Sequence, residues 1–173
     1  MSWSRPARCV TWPPGNYSAA RLTEALETSD RLGVARFSTL QTHYNLMERA
    51  EFEGALRDVV AAEGMGTLPY YSLAKGFLTG KYRAGQQIDS PRAQGASVYV
   101  GEKGDRVLTA LQEVADEHGV GLPAVALRWL ADRPTVTAPI ASARDVGQLA
   151  DLLPMQDLVL TEGQRAPLDD ASA

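Results

Sequence analysis

The chain has 173 residues, 45% of them apolar and 22% charged, which suits one soluble domain with a sizeable core. A net charge of −4 argues against a general nucleic-acid binder, and the one basic cluster, Arg5 to Arg8, is too short to change that. No apolar stretch approaches the ~18 residues of a membrane span, no continuous apolar run forms a secretory signal, and a single cysteine, Cys9, excludes an internal disulfide.

The expected compartment is therefore the cytoplasm. In chain order, Ser18 caps a helix running to about Leu32, with Leu22, Ala25, Leu26 and Leu32 as its apolar stripe, and Gly33 stops it. The mixed run 36–42 reads as a strand. A second helix spans about Arg49 to Glu63, with Phe52, Leu56, Val59 and Val60 on one face, and Gly64 and Gly66 end it. Thr67 to Tyr71 reads as the next strand. An irregular segment rich in Gly, Ser, Gln and Arg follows from about Ser72 to Lys103, a length that marks a functional or disordered loop.

The third helix covers about Asp105 to His118, and the fourth starts near Pro123 and ends before Pro134. Val136 to Ile140 is a short β-branched run, Asp145 to Leu153 reads as a last long helix, and the polar tail from Thr161 is expected to cover an end of the fold. This β-α-β-α-α-β-α order, with helix–strand spacing suited to parallel strands, predicts an α/β fold. Periodicity alone does not separate a barrel from an open doubly wound sheet.

Four segments point further. QTHYNLMER, Gln41 to Arg49, resembles the sixth barrel strand and following loop of the aldo-keto reductases. LPYYSLAKGFLTGKY, Leu68 to Tyr82, resembles their seventh strand and cofactor loop. VALRWL, Val125 to Leu130, is similar to the helix before the last strand, and PIASAR, Pro139 to Arg144, with Gln148 and Leu149, to that strand's end and the last helix. The segments stand in family order and at family spacing from Asn16 onward.

The resemblance implies a (β/α)8 barrel of the TIM type, with its active site on the loops after the strands. Such barrels typically need ~250 residues. The expectation is thus an incomplete barrel, its C-terminal part, with the last three strands and the helix before them. The missing half would supply the family's Asp-Tyr-Lys-His catalytic group, so no catalytic residue is expected here. His43 stands where the family does not place its catalytic histidine.

Residues 1–15 match no family motif, and the family-like domain is expected over 16–173. The resemblance places a segment like Gly-Lys-Val-Arg-Tyr-Val-Ala-Ala-Ser before Asn16. Codons permitted for Arg5 to Pro14, read from one base earlier, spell Ala-Gly-Lys-Val-Arg-Tyr-Val-Ala-Ala. The expectation is a frame-shifted reading of the fifth strand, with the family frame restored near Gly15.

A nicotinamide dinucleotide needs a flat surface under its ring, amides for its carboxamide, and cations or N–H groups for its phosphates. By resemblance Tyr70 stacks on the nicotinamide, and Asn16 and Gln41 hydrogen-bond the carboxamide. Leu73, Ala74, Gly76 and Leu78 match the loop whose backbone wraps the pyrophosphate, and Lys81 and Arg92 match phosphate-contacting positions. Ser142, Ala143 and Arg144, at a helix N-terminus, would take an adenosine 2′-phosphate and favour NADP(H). Gln148 and Asp151 match positions facing the adenine. Leu152 stands where the family often has asparagine, and Lys75 where it often has a small residue.

His43 and His118, far apart in sequence, do not suggest a zinc site. Trp129 reads as core and Asp169-Asp170 as a solvated pair. The resulting reading is a truncated NADP(H)-dependent aldo-keto reductase whose complete form would reduce aldehydes or ketones to alcohols by hydride transfer. The alternatives are a non-enzymatic cofactor-binding regulatory subunit and a non-functional gene fragment. The expected partners are the nicotinamide cofactor, a small carbonyl substrate and a second copy at the open barrel edge. Neither nucleic acid nor a membrane is expected.

Overall fold

Ser18 and Gly33 bound the first helix as their chemistry dictates. In the computed structural model, which describes residues 15–83 and 93–173, α1 spans Ala19–Leu32. The Ser18 hydroxyl accepts from Arg21 N, and Gly33 turns the chain at φ 62. Leu22 and Leu26 are its buried apolar residues.

β1 (Thr39–His43) and β2 (Gly66–Tyr70) pair in parallel, with Leu40 opposite Thr67 and His43 opposite Tyr70. Each strand alternates half-buried and buried residues. Leu40 enters the core, whereas Gln41, His43, Leu68 and Tyr70 lie on the other face. Between the strands runs α2 (Ala55–Ala62). It begins six residues later than the apolar pattern predicts, because 49–54 forms turns that end at Gly54 with φ 110.

The predicted third strand is only partly realised. Thr67 N donates to Thr135 O at 2.7 Å, Thr137 N to Thr67 O at 2.9 Å and Ile140 N to Pro69 O at 2.9 Å, with one parallel bridge, Thr67–Val136. Pro134 and Pro139 lack the N–H that a full ladder needs, and Thr135 sits at φ 70. Close approach is possible because residue 66 is glycine: a Cβ there would lie 2.2 Å from Thr137 Oγ1. On the opposite flank Gly15 bridges Gln41, also in parallel. Four parallel stretches therefore lie side by side in chain order.

The segment 72–103 is not one irregular loop. A 3₁₀ turn occupies Ala74–Thr79, α3 occupies Ala93–Ser97, and α4 (Glu102–His118) starts before the predicted Asp105. α5 (Leu122–Ala131) carries Pro123 in its first turn and buries nearly every side chain. α6 (Val146–Leu152) is short and passes into a 3₁₀ turn at Leu153–Gln156, which contains Pro154. Leu22, Leu40, Phe77, Leu111, Val125 and Leu130 are fully buried in one core that joins these helices to the strands.

One expectation about the C-terminal region is corrected, that for Asp169. The polar tail is a helix, α7 (Glu162–Ser172), which packs along α4 and buries Leu168 and Ser172. Asp169 is not solvated with Asp170. Its carboxylate accepts from the indole of the fully buried Trp129 at 2.9 Å and from Arg133 at 3.1 Å, while Asp170 is exposed. No helix among the described residues is long and apolar enough to cross a membrane.

Candidate functional site

A cleft of about 580 Å³ opens beyond the C-terminal ends of β2 and the 135–140 stretch. Tyr70 and Tyr71 form one end. The middle comprises Leu73, Lys75, Gly76 and Thr79 with Lys81 and Tyr82, Ile140 stands beside the Tyr70 end through its hydrogen bond to Pro69, and the lining is completed by Ser142, Arg144, Gln148 and Asp151. Among the described residues its charged lining comprises Lys75, Lys81, Arg144 and Asp151, three cations against one carboxylate, in a chain of net charge −4. That imbalance suits an anionic ligand.

Tyr70 is fixed from several sides. Its hydroxyl donates to Asn16 Oδ1 at 2.6 Å, and its ring stacks on His43 with centroids 5.4 Å apart and planes 15° from parallel. Tyr71 meets it edge-on at 5.2 Å. Burial pushes the Tyr70 phenol pKa up, as do Glu51 and Tyr71, while the Asn16 hydrogen bond opposes them. The hydroxyl thus remains a neutral donor. Asn16 at φ 57 and Gln41 stand on adjacent parallel stretches, linked by the Gly15–Gln41 bridge, but neither lines the cleft.

The middle of the cleft is a left-handed curl. Ala74, Lys75 and Gly76 have φ 49, 57 and 99 in succession, and a Cβ on Gly76 would come to 3.5 Å of Tyr82 Cε2. Ala74 and Leu78, predicted as cofactor residues, are fully buried in the core. Only their backbone can serve a ligand, because their side chains anchor the turn. Leu73 and Gly76 do reach the cleft. Arg92 lies outside the described residues.

Asn45 sets the entry to this curl. It is fully buried; Nδ2 donates to Tyr71 O at 2.9 Å, and Oδ1 accepts from Met47 N at 2.8 Å and Glu48 N at 3.1 Å. The loop after β1 is thereby tied to the loop after β2, with Tyr71 at φ 51. Lys75 places its ammonium 5.6 Å from the Tyr71 ring centroid. Sequence reasoning assigned no role to Tyr71, Lys75, Tyr82 or Asn45. The signal available for Asn45 was a lone amide within the apolar YNLM run.

At the far end the helix start differs from the expectation. The N-cap of α6 is Asp145, whose carboxylate accepts from Gln148 N at 2.8 Å. Gln148 Oε1 in turn accepts from Arg144 N at 3.1 Å. The backbone N–H groups of Arg144 and Gln148 are thus satisfied within the chain. Of the N–H groups in the first turn of α6, that of Gln148 is taken by the Asp145 cap. Ser142, Arg144, Gln148 and Asp151 line the cleft, whereas Ala143 does not.

The model of the Aldo/keto reductase family matches residues 13–173. The chain is 29% identical over 154 residues to a probable voltage-gated potassium channel subunit beta of Oryza sativa subsp. japonica, covering 86% of this chain and 47% of that protein. It is 29% identical over 157 residues to protein tas of Escherichia coli (strain K12), covering 89% and 45%. It is 30% identical over 159 residues to aldo-keto reductase dtxS3 of Metarhizium robertsii, covering 89% and 41%. The chain spans about half the length of the curated relatives it matches.

Proposed function

Because the chain belongs to the aldo/keto reductase family, we propose that its cleft takes NADP(H) and that the complete protein reduces an aldehyde or ketone to the alcohol. The family's cofactor is a nicotinamide nucleotide and its fold a (β/α)8 barrel. The parallel stretches at Gly15, β1, β2 and 135–140 adjoin in chain order, as consecutive staves of such a barrel do. We read them as the C-terminal part of that barrel.

The observation that carries the cofactor reading is one cleft joining an aromatic end at Tyr70 to a cationic end at Arg144. Tyr70 would lie under the nicotinamide, with the amides of Asn16 and Gln41 beside its carboxamide. The Leu73–Leu78 curl offers backbone to the pyrophosphate, and glycine at 76 permits its close approach. Lys81 supplies charge there. Ser142 and Arg144 suit a 2′-phosphate, and Gln148 and Asp151 the adenine. When bound, the nicotinamide supplies hydride.

In the family the carbonyl is protonated by the Asp-Tyr-Lys-His group, which this reading assigns to segments other than residues 16–173. The chain alone is then a cofactor binder without turnover. That property also fits the second reading, a non-enzymatic cofactor-binding subunit; one relative is named as a channel subunit. The flanking staves, with edges that a barrel would pair, further imply self-association, which sedimentation detects.

The test is a titration of residues 1–173 with NADPH, NADH, 2′,5′-ADP and 5′-AMP, followed by a carbonyl-dependent NADPH oxidation assay. The 2′-phosphorylated ligands should bind about ten- to a hundredfold more tightly, and Arg144→Ala should remove that preference. Equal affinities would exclude the NADP(H) reading. Carbonyl-dependent turnover that survives repurification would show that the chain holds its own proton donor. Binding without turnover supports the cofactor site and fits both the truncated enzyme and a cofactor-binding subunit, and neither binding nor turnover favours a non-functional fragment.

A further inference from the structure

His43 closes β1 in register with Tyr70, which closes β2. Both lie on the half-buried face of their strands, so the two side chains project to the same side as a cross-strand pair. Their rings stack at 5.4 Å and 15°. Tyr71 packs edge-on against His43 at 5.5 Å and against Tyr70 at 5.2 Å. Tyr70 and Tyr71 line the cleft and His43 does not. The imidazole therefore backs the tyrosines.

A phenol at a strand end turns about two torsions, and a hydrogen bond at its tip does not fix the plane of its ring. Asn16 holds the tip at 2.6 Å; the plane is fixed by what lies against the face. His43 Nε2 is buried and has no hydrogen-bond partner among the described residues. What the imidazole offers through that buried edge is its flat surface. Burial and three charged groups bear on its charge: burial lowers its pKa, Glu48 and Glu51 from the loop after β1 raise it, and Lys75 from the 3₁₀ turn lowers it. The net direction is downward, so the ring stacks uncharged at neutral pH.

We propose that His43 is a positioning residue of the cofactor site: stacked behind Tyr70, it sets the plane that Tyr70 presents to the nicotinamide ring. The proposal rests on the reading that this cleft takes a nicotinamide dinucleotide, and it adds a residue outside the cleft that governs one end of it.

The test compares NADPH with 2′,5′-ADP, which lacks the nicotinamide, on the full chain. His43→Ala should weaken NADPH binding by about three- to tenfold, the worth of an aromatic pair, and leave 2′,5′-ADP unchanged. His43→Phe, which restores a flat ring without the nitrogens, should recover NADPH binding. Unchanged NADPH affinity in His43→Ala, equal loss of both ligands, or no recovery in His43→Phe would each overturn the inference. A wild-type chain that binds both ligands equally tightly also overturns it while leaving the adenosine end standing. A wild type that binds neither removes the cofactor reading and this inference together. A ligand-free measurement tests the stack itself. The chain has two histidines, so His43→Ala assigns the His43 Cε1 proton by NMR. That resonance should lie upfield through the Tyr70 ring current and move downfield in Tyr70→Leu; a resonance that stays in place overturns the stack.

Discussion

The carboxylate of Asp169 accepts a hydrogen bond from the indole Nε1 of Trp129 at 2.9 Å. Trp129 has no exposed surface, so this N–H has no access to water. Arg133 donates to the same carboxylate, Arg49 pairs with it at 3.6 Å, and both guanidiniums lie over the indole, at 5.5 Å for Arg49 and 4.6 Å for Arg133. Asp169→Ala should cost about 2–3 kcal/mol, because it strands a buried donor and takes from Arg133 its carboxylate, while Arg49 keeps Glu53 at 2.9 Å. Asp170→Ala, on the exposed side of the same helix, should change stability by less than about 0.5 kcal/mol. Urea midpoints at constant slope distinguish the two.

Gly104 carries the second prediction. A Cβ there would stand 2.1 Å from Tyr99 O and 2.7 Å from Phe77 Cζ. Gly104→Ala should therefore destabilise by about 1–3 kcal/mol through overpacking. Phe77 belongs to the 3₁₀ turn that brings Lys75 and Gly76 to the cleft, so NADPH affinity should fall with the melting temperature. Gly163 is the contrast: a Cβ would meet only Thr161 Oγ1, at 3.9 Å. Gly163→Ala in α7 should be neutral or stabilise by up to about 1 kcal/mol.

A third expectation concerns Asp145. Its carboxylate caps α6 and sits next in sequence to Arg144, where the proposed 2′-phosphate would bind. Asparagine keeps the capping oxygen and removes the charge. Asp145→Asn should raise 2′,5′-ADP affinity by about two- to fivefold. Alanine, which also loses the cap, should raise it less. Salt titration should show the difference shrinking as ionic strength rises.

The fourth follows from His43. Burial lowers its pKa in the folded chain below the ordinary value of 6.5, so the unfolded chain binds more protons in the interval between the two. This contribution to stability is complete above pH 6.5 and is lost as pH falls from there toward the folded value. In His43→Phe that part of the pH–stability curve should flatten. Identical slopes in the two proteins would show that His43 is not desolvated.

Local chemistry was the legible part of this fold. Ser18 and Gly33 bound α1, and Pro123 opens α5, because caps and first-turn prolines act within a few residues. The 135–140 stretch was overread as a strand: its β-branched run is real, but Pro134, Pro139 and the positive φ of Thr135 leave it three hydrogen bonds to β2. Asp169 was misjudged because Arg133 and Trp129 stand 36 and 40 residues before it, beyond any local pattern.

At the site, the motif residues Tyr70, Gly76 and Arg144 come together in one cleft, but the motif could not separate side chains that reach it from those that anchor its wall. Ala74 and Leu78 belong to the wall. Tyr71 and Lys75 enter the cleft because of a left-handed curl held by Asn45, and no spacing rule encodes that curl.

Arg49 Nη1 also donates to the backbone carbonyl of Asp169, 120 residues further along the chain, at 2.8 Å. At about 5–20 residues per second the ribosome needs on the order of ten seconds to cover that interval. Once made, the Trp129 indole and the Arg133 guanidinium await that carboxylate, while Arg49 has Glu53 beside it. The nascent chain is then open to chaperones and proteases, and the docking of α7 closes that window. The contact that closes it is made late and lies outside the cleft.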